Sequence, residues 1–440
     1  MKPSRLLPAL FLTRMALAQT LNIAPAVELA FTAEPGKGYR LESSADLASW
    51  RPAGGPQLAL SGPQQTLAPA AGAGRYFRLV SHEVRNLNSL LEPIRVANGV
   101  PALACAVVLS NRIVGLGAVG YRKAGITNAP VTLQDRWHHG SLTKSMTATL
   151  AARLIEAGRL RWDTTLAEVF PEQAPKMNAA WRTVTLDWLC SNRGGAPGDL
   201  GASGIWSQLW NFGGTPREAR GLLLEKLTVI APSSTPGTRY EYSNAGFALA
   251  GHMLETVMNQ PWEELMREWL FQPLDMTSGG FGVPATPRMI DQPWGHQLAA
   301  GKPSPIEPGT SADNPPAIGP AGTVHCSVAD LAKYVAAHLA GERGDFDLLQ
   351  QATVLKLHTA VPNNANYAYG WSAVDRPWAG SGKALTHNGS NTQWFSVIWM
   401  APARQFGVVA LCNLATSSGA NPGSTATDQI AGKMIQEFLP

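Results

Sequence analysis

Ser141-Leu142-Thr143-Lys144-Ser145-Met146-Thr147-Ala148-Thr149-Leu150 is the stretch that decides how the rest of the chain is read. Leu142, Met146, Leu150 and Leu154 form one apolar row until Gly158, so a helix is predicted from Ser141 onward. Residues three apart share a helix face, which lets the Ser141 hydroxyl and the Lys144 amine meet. Among eleven lysines, only Lys144 has a serine three positions before it. A serine hydroxyl is a poor nucleophile until a base takes its proton, and a desolvated lysine can be that base. At a helix N-terminus the free N–H groups also favour a developing oxyanion. Alone, the same four residues also read as a capping serine beside a solvated lysine.

Working outward, Tyr242-Ser243-Asn244 is the only Tyr-x-Asn among eight tyrosines. It follows Pro236-Gly237 and precedes the apolar positions Phe247, Leu249, Leu254 and Met258, which places it on a loop entering a helix. Tyr242 is a candidate proton carrier, and the Asn244 amide a group able to hold both the lysine and a substrate carbonyl. His387-Asn388-Gly389 precedes the strand-like run 395–400. A strand beside the nucleophile can offer backbone N–H groups, and Gly389 would allow close approach. His138-His139-Gly140 has the same His-x-Gly form, so that tripeptide by itself is uninformative.

The surrounding pattern predicts an α/β fold of the α+β type. Leu87, Leu90, Leu91 and Ile94 predict a helix, and 104–109 and 113–119 a strand pair about Ser110-Asn111-Arg112. Near the C-terminus the order reverses: runs 395–400 and 406–411 precede a helix carrying Ile430, Met434, Ile435 and Phe438. The economical architecture is an antiparallel sheet built from both ends, covered by N- and C-terminal helices, with a mostly helical insert. Residues 19–82 read as a small all-β module, with alternation at 27–31 and 39–42 and turn chemistry at Pro35-Gly36-Lys37-Gly38. The expected division is therefore 1–18, 19–82 and 83–440.

Composition sets limits on function. Charged residues make up 15% of 440, the net charge is +4, and there are 14 tryptophans. Typical domains carry about 25% charged residues. This balance argues against nucleic-acid binding, and no basic run tracks phosphates. No window reaches the roughly 18 apolar residues of a membrane span. The basic start Met1-Lys2-Pro3-Ser4-Arg5, the apolar run 6–12 and Ala16-Leu17-Ala18 are the parts of a signal peptide, with Arg14 as an interruption. A periplasmic or secreted location is expected from them. Cys105, Cys190, Cys326 and Cys412 show no zinc-ligand spacing; buried free thiols are expected and a disulfide is the alternative.

Taken in order, the three motifs resemble those of the β-lactamase and penicillin-binding-protein superfamily of serine acyl-enzymes, over about residues 84–440. Pro273-Leu274-Asp275-Met276, Gly319-Pro320-Ala321-Gly322, Ser327-Val328-Ala329-Asp330-Leu331-Ala332 and Tyr369-Gly370-Trp371 support it. Absence of Gly-x-Ser-x-Gly counts against an α/β-hydrolase. The resemblance implies that Ser141 attacks an acyl carbonyl, Lys144 activates it and Tyr242 carries the proton to the leaving group. Asn244 would bind the substrate amide or carbonyl, and the N–H groups of Ser141 and Ser390 would form the oxyanion hole. It implies no cofactor and no metal, and a small-molecule or peptide acyl substrate. Where β-lactamases of this kind carry Lys-Thr-Gly, this chain has His387, Asn388 and Gly389. A histidine is mostly neutral at pH 7, a weak anchor for anions. An ester or a D-Ala-type peptide is therefore favoured over a β-lactam. The alternatives are a class C type β-lactamase, and a catalytically weak protein that keeps the fold and binds the cell wall through its N-terminal module.

Overall fold

The structure, a computed structural model, describes residues 26–32, 34, 36–52, 57–58, 63–69, 76–345, 348–361 and 366–439. The expected leader, 1–18, lies outside the described residues. The N-terminal segment forms strands at both stretches where alternation predicts them, β1 (Ala26–Thr32) and β2 (Lys37–Ser44), and two further strands, β3 (Pro63–Pro69) and β4 (Tyr76–Glu83). β1 pairs antiparallel with β3, and β2 with β4. The buried Glu42 carboxylate takes both Arg40 and Arg78, the latter at 2.7 Å.

After β4 the chain enters the large unit without a spacer. α1 (Asn88–Asn98) buries Leu91 and ends at Gly99, whose φ of 60° closes the helix onto the Arg95 and Val96 carbonyls. The hairpin β5 (Ala102–Leu109) and β6 (Arg112–Gly120) follows. The insert begins with β7 (Arg136–His138) and α2 (Thr143–Glu156) and includes α3 (Asn244–Met258). It closes with β8 (Val324–Ser327) and α4 (Val328–Gly341). β9 (Ala384–Ser390), β10 (Phe395–Ala401), β11 (Phe406–Cys412) and α5 (Pro422–Phe438) complete the chain.

The main sheet runs Ser372–Val374, β9, β10, β11, β5, β6, Arg85–Asn86, and only the last pairing is parallel. Its seam joins the two ends of the unit, Phe406 opposite Leu109 and Cys412 opposite Leu103. Period-two alternation splits β5 between two cores. Leu103, Cys105 and Val107 face α1 and α5 with Leu87, Leu91, Ile430 and Met434; Ala104, Ala106 and Val108 join Leu331, Val335 and Leu339 of α4. Each fully buried large apolar side chain stabilises by about 1.5–3 kcal/mol, so this two-faced burial makes β5 the anchor of the sheet. All four cysteines are buried free thiols, which decides between the two cysteine readings. Among the described residues no helix is long and apolar enough to cross a membrane.

Candidate active site

Ser141 sits in a single 3-10 turn, Gly140–Leu142, that runs straight into α2, so the helix proper starts two residues later than the periodicity predicts. The turn is tied from behind. His139 donates its N–H to the Val324 carbonyl at 2.9 Å, and the Gly140 N–H donates to His138 Nδ1 at 3.1 Å. Because Nδ1 accepts, the other ring nitrogen of His138 carries the proton and donates to the Asp313 carboxylate, 2.9 Å away.

Lys144 is 0% exposed, and its Nζ has three partners: Ser141 Oγ at 2.9 Å, Asn244 Oδ1 at 2.7 Å and the Ala321 carbonyl at 2.9 Å. Two of these are carbonyl oxygens, which only accept. As placed, Nζ donates to Ser141 Oγ and to both carbonyls; a neutral amine, with two N–H donors and one lone pair, can keep both carbonyls and turn its lone pair to the serine hydroxyl. Its pKa agrees with that assignment. Burial, with no carboxylate alongside, pulls the amine well below its usual value.

Tyr242 hydrogen-bonds Ser141, while burial raises its phenol pKa, so it stays protonated at neutral pH. Its ring lies 4.6 Å from Lys144 Nζ. The Tyr-Ser-Asn loop is fixed by division of labour. Ser243 caps α3, accepting the Gly246 N–H at 3.1 Å, which leaves the Asn244 amide free for Lys144. Asn192 accepts the Ser243 N–H at 3.1 Å on its side chain and the Glu241 N–H at 2.8 Å on its backbone carbonyl.

β9 brings the third motif to the serine by direct backbone contact. A Cβ at Gly389 would lie 1.8 Å from the His139 carbonyl oxygen and 3.0 Å from the Ser141 nitrogen. A Cβ at Gly140, whose φ is 51°, would lie 2.3 Å from the Ser390 nitrogen. Only glycines permit this approach, and it sets the Ser141 and Ser390 N–H groups beside one another. Of the seven residues singled out from the sequence, all gather here, but His387 differs in kind from a substrate anchor. It is buried, donates Nδ1–H to the Asn388 carbonyl at 2.6 Å and accepts the Tyr367 hydroxyl on Nε2 at 3.2 Å. Burial lowers its pKa to about 4. Its ring is neutral and fully engaged.

Three contributors have no local signal in the sequence: Tyr367, Asn192 and the His138–Asp313 pair. Asp313 also receives the Asn391 amide at 3.4 Å, so one carboxylate spans the residues flanking Gly140 and Ser390. Asp313→Ala is expected to lower kcat roughly tenfold or more, since small misplacements of a catalytic frame cost that much; steady-state kinetics at fixed pH check it. A change under twofold would show the frame to be indifferent to this tie. No group of three or more His, Cys, Asp or Glu side chains is placed for a metal among the described residues.

Comparison with known proteins places the chain in a family. Penicillin-binding protein 4 of Amycolatopsis lactamdurans is 27% identical over 364 residues, 79% of this chain and 91% of that protein. Two solved structures share the fold. D-alanine carboxypeptidase AmpC from Burkholderia cenocepacia has a TM-score of 0.58 at 22% identity, covering 78% of this chain and 96% of that one. EstCE1, described as a hydrolase with promiscuous acyltransferase activity, has a TM-score of 0.61 at 19% identity, covering 74% and 93%. The family model described as Beta-lactamase matches residues 87–431, and the chain belongs to that family of β-lactamase-fold serine hydrolases.

Proposed function

We propose that the protein is an active serine acyl-hydrolase that cleaves an ester or amide through an acyl-enzyme on Ser141, with a carboxylesterase or D-Ala-type peptidase activity. The observation that carries this reading is the buried Lys144 amine, which reaches Ser141 Oγ, Asn244 Oδ1 and the Ala321 carbonyl and whose pKa burial pulls well below its usual value. In the first half-reaction Lys144 takes the hydroxyl proton as Oγ attacks the acyl carbon. The Ser141 and Ser390 N–H groups stabilise the oxyanion. Tyr242, protonated and in contact with Ser141, delivers a proton to the leaving group and is recharged from Lys144, so the acyl-enzyme forms with no net proton change. Water then repeats the sequence in reverse, its proton passing to Tyr242 and Lys144 as the ester bond to Ser141 breaks.

The β-lactamase alternative is disfavoured by His387, a neutral and engaged ring where an anion-binding cation would be needed. The relatives named penicillin-binding protein, D-alanine carboxypeptidase and hydrolase are compatible with the preferred reading. Export to the periplasm or medium, and cell-wall contact through residues 19–82, belong to the same proposal; fractionating cells that make the full chain tests both. For activity, a panel of p-nitrophenyl esters, a D-Ala-D-Ala peptide and a chromogenic cephalosporin decides. Turnover of an ester or the peptide, at least about a hundredfold above the cephalosporin and lost in Ser141→Ala, is expected, a gap within reach of one lost charged contact. Rapid turnover of the cephalosporin alone would contradict the argument from His387.

A further inference from the structure

Glycine contacts bracket the nucleophile and its base. On one side Gly389 of β9 presses on the His139 carbonyl, two residues before Ser141. On the other, Gly370 presses on the peptide that follows Lys144. A Cβ at Gly370 would lie 2.3 Å from the Ser145 nitrogen, 2.4 Å from its Cα and 2.8 Å from the Lys144 carbonyl carbon. All three are backbone atoms of α2, so no side-chain rotation could relieve the overlap. The φ of Gly370 is 86°, which glycine adopts without strain. None of the catalytic steps assigned to Ser141, Lys144 and Tyr242 uses the turn Tyr369-Gly370-Trp371.

The turn is held at both flanks. The Tyr369 hydroxyl donates to Asp187 Oδ1 at 2.5 Å and accepts from the Lys356 ammonium at 2.7 Å. Burial, then the Asp187 charge, raise its pKa, so the phenol keeps its proton. The Ala368 N–H donates to the Trp371 carbonyl at 2.6 Å and closes the turn. Trp371 is fully buried and stacks on Tyr334 of α4, whose hydroxyl donates to Ser145 Oγ at 3.0 Å. Ser145 Oγ in turn donates to the Leu142 carbonyl at 2.9 Å. Beyond Trp371 the chain becomes the edge strand Ser372–Val374, which pairs with β9. Ser145 is thus gripped through its backbone by Gly370 and through its hydroxyl by Tyr334. Lys144, one residue earlier, has to place a single nitrogen 2.7–2.9 Å from three oxygens.

We infer that Gly370 is a positioning residue, whose close approach fixes the first turn of α2 and with it the place of the Lys144 amine relative to Ser141. The inference deepens the acyl-hydrolase reading and rests on it. With a side chain at position 370, the turn and α2 must part by roughly an ångström, a misplacement that costs a catalytic frame about a hundredfold. The test compares Gly370→Ala with Gly125→Ala in the full chain, on one p-nitrophenyl ester. Rates are normalised to the fraction of protein that takes up an acyl group. Gly125 has nearly the same φ, 81°, and no atom within 4 Å of its Cβ position, so its alanine carries the strain without the contact. Gly370→Ala is expected to lose about ten- to a hundredfold in normalised kcat. The limb of activity that rises with pH should also move to higher pH, because a displaced Lys144 is less completely dried. Of the titratable groups facing the amine, Tyr242 keeps its proton and His387 stays neutral near pH 7, so the limb reports Lys144. Gly125→Ala should stay within about twofold of the parent, with its limb unmoved. A purely structural role would lower the acylated fraction and leave the normalised kcat and the limb alone. Should Gly370→Ala not fold, Tyr369→Phe decides, since it keeps the glycine and removes the tie to Asp187 and Lys356. It is expected to move the limb the same way, with a smaller fall in kcat. An unmoved limb in the deciding variant, or a folded Gly370→Ala enzyme within about twofold of Gly125→Ala in normalised kcat, would overturn the inference. Turnover by the parent would then leave the hydrolase reading standing. A parent protein that turns over no ester, with no acyl group on Ser141, would overturn both.

Discussion

Lys144→Met is expected to lower kcat/KM for an activated ester by at least about a thousandfold, the scale of removing the base from a nucleophile–base pair. Methionine keeps the length and apolar stem of the lysine but has no lone pair of comparable basicity to aim at Ser141. The unmodified protein should show an activity limb that rises with pH, because the reactive form is the amine that has lost its proton. Burial draws that pKa down from 10.5, so the limb lies well below pH 10.5. His387, held to about 4, adds no charge change near neutrality. Stability carries the same signature. Between the folded-state pKa of Lys144 and 10.5, the unfolded chain binds a proton that the folded chain has lost, so this group makes stability rise with pH in that window. Urea unfolding across the pH range should show that slope flattened in Lys144→Met. Retained activity, or an unchanged slope, would remove the neutral lysine from the account.

Gly389→Ala is the second large effect, expected to cost about a hundred- to a thousandfold in kcat, the range for loss of one oxyanion-hole donor. The added Cβ would overlap the His139 carbonyl oxygen, backbone against backbone, so β9 must move off the nucleophile turn and take the Ser390 N–H with it. Gly432→Ala is the control, since its Cβ would have no neighbour within 4 Å; it should leave kcat unchanged. Circular dichroism establishes whether each variant is folded. A folded Gly389→Ala enzyme within about threefold of the parent kcat would show that the close approach is not what builds the oxyanion site.

How much of this was legible beforehand follows from how local each feature is. The hairpin β5–β6 and the strands β10–β11 announce themselves by apolar runs about turn residues, and Ser141 meets Lys144 because three residues bring a helix face around. The antiparallel sheet joining both ends was likewise readable from strand order. Tyr367, Asn192 and Asp313 were not readable, since each acts through a partner far away in sequence: 20 residues for Tyr367 to His387, 51 for Asn192 to Ser243 and 175 for Asp313 to His138. His387 was legible as a departure from a cation, but the pKa of a free imidazole understates it. Burial and Tyr367 make the ring neutral and occupied, which no motif reports.

The central claim is that Ser141 carries the acyl group. Incubating the full chain with benzylpenicillin or a slow activated ester, then measuring intact mass and mapping the modified peptide, tests it most directly. The account predicts a single acyl adduct on the peptide containing Ser141, absent from Ser141→Ala and formed far more slowly in Lys144→Met. No adduct from any acyl donor, or one equally present in Ser141→Ala, would contradict it.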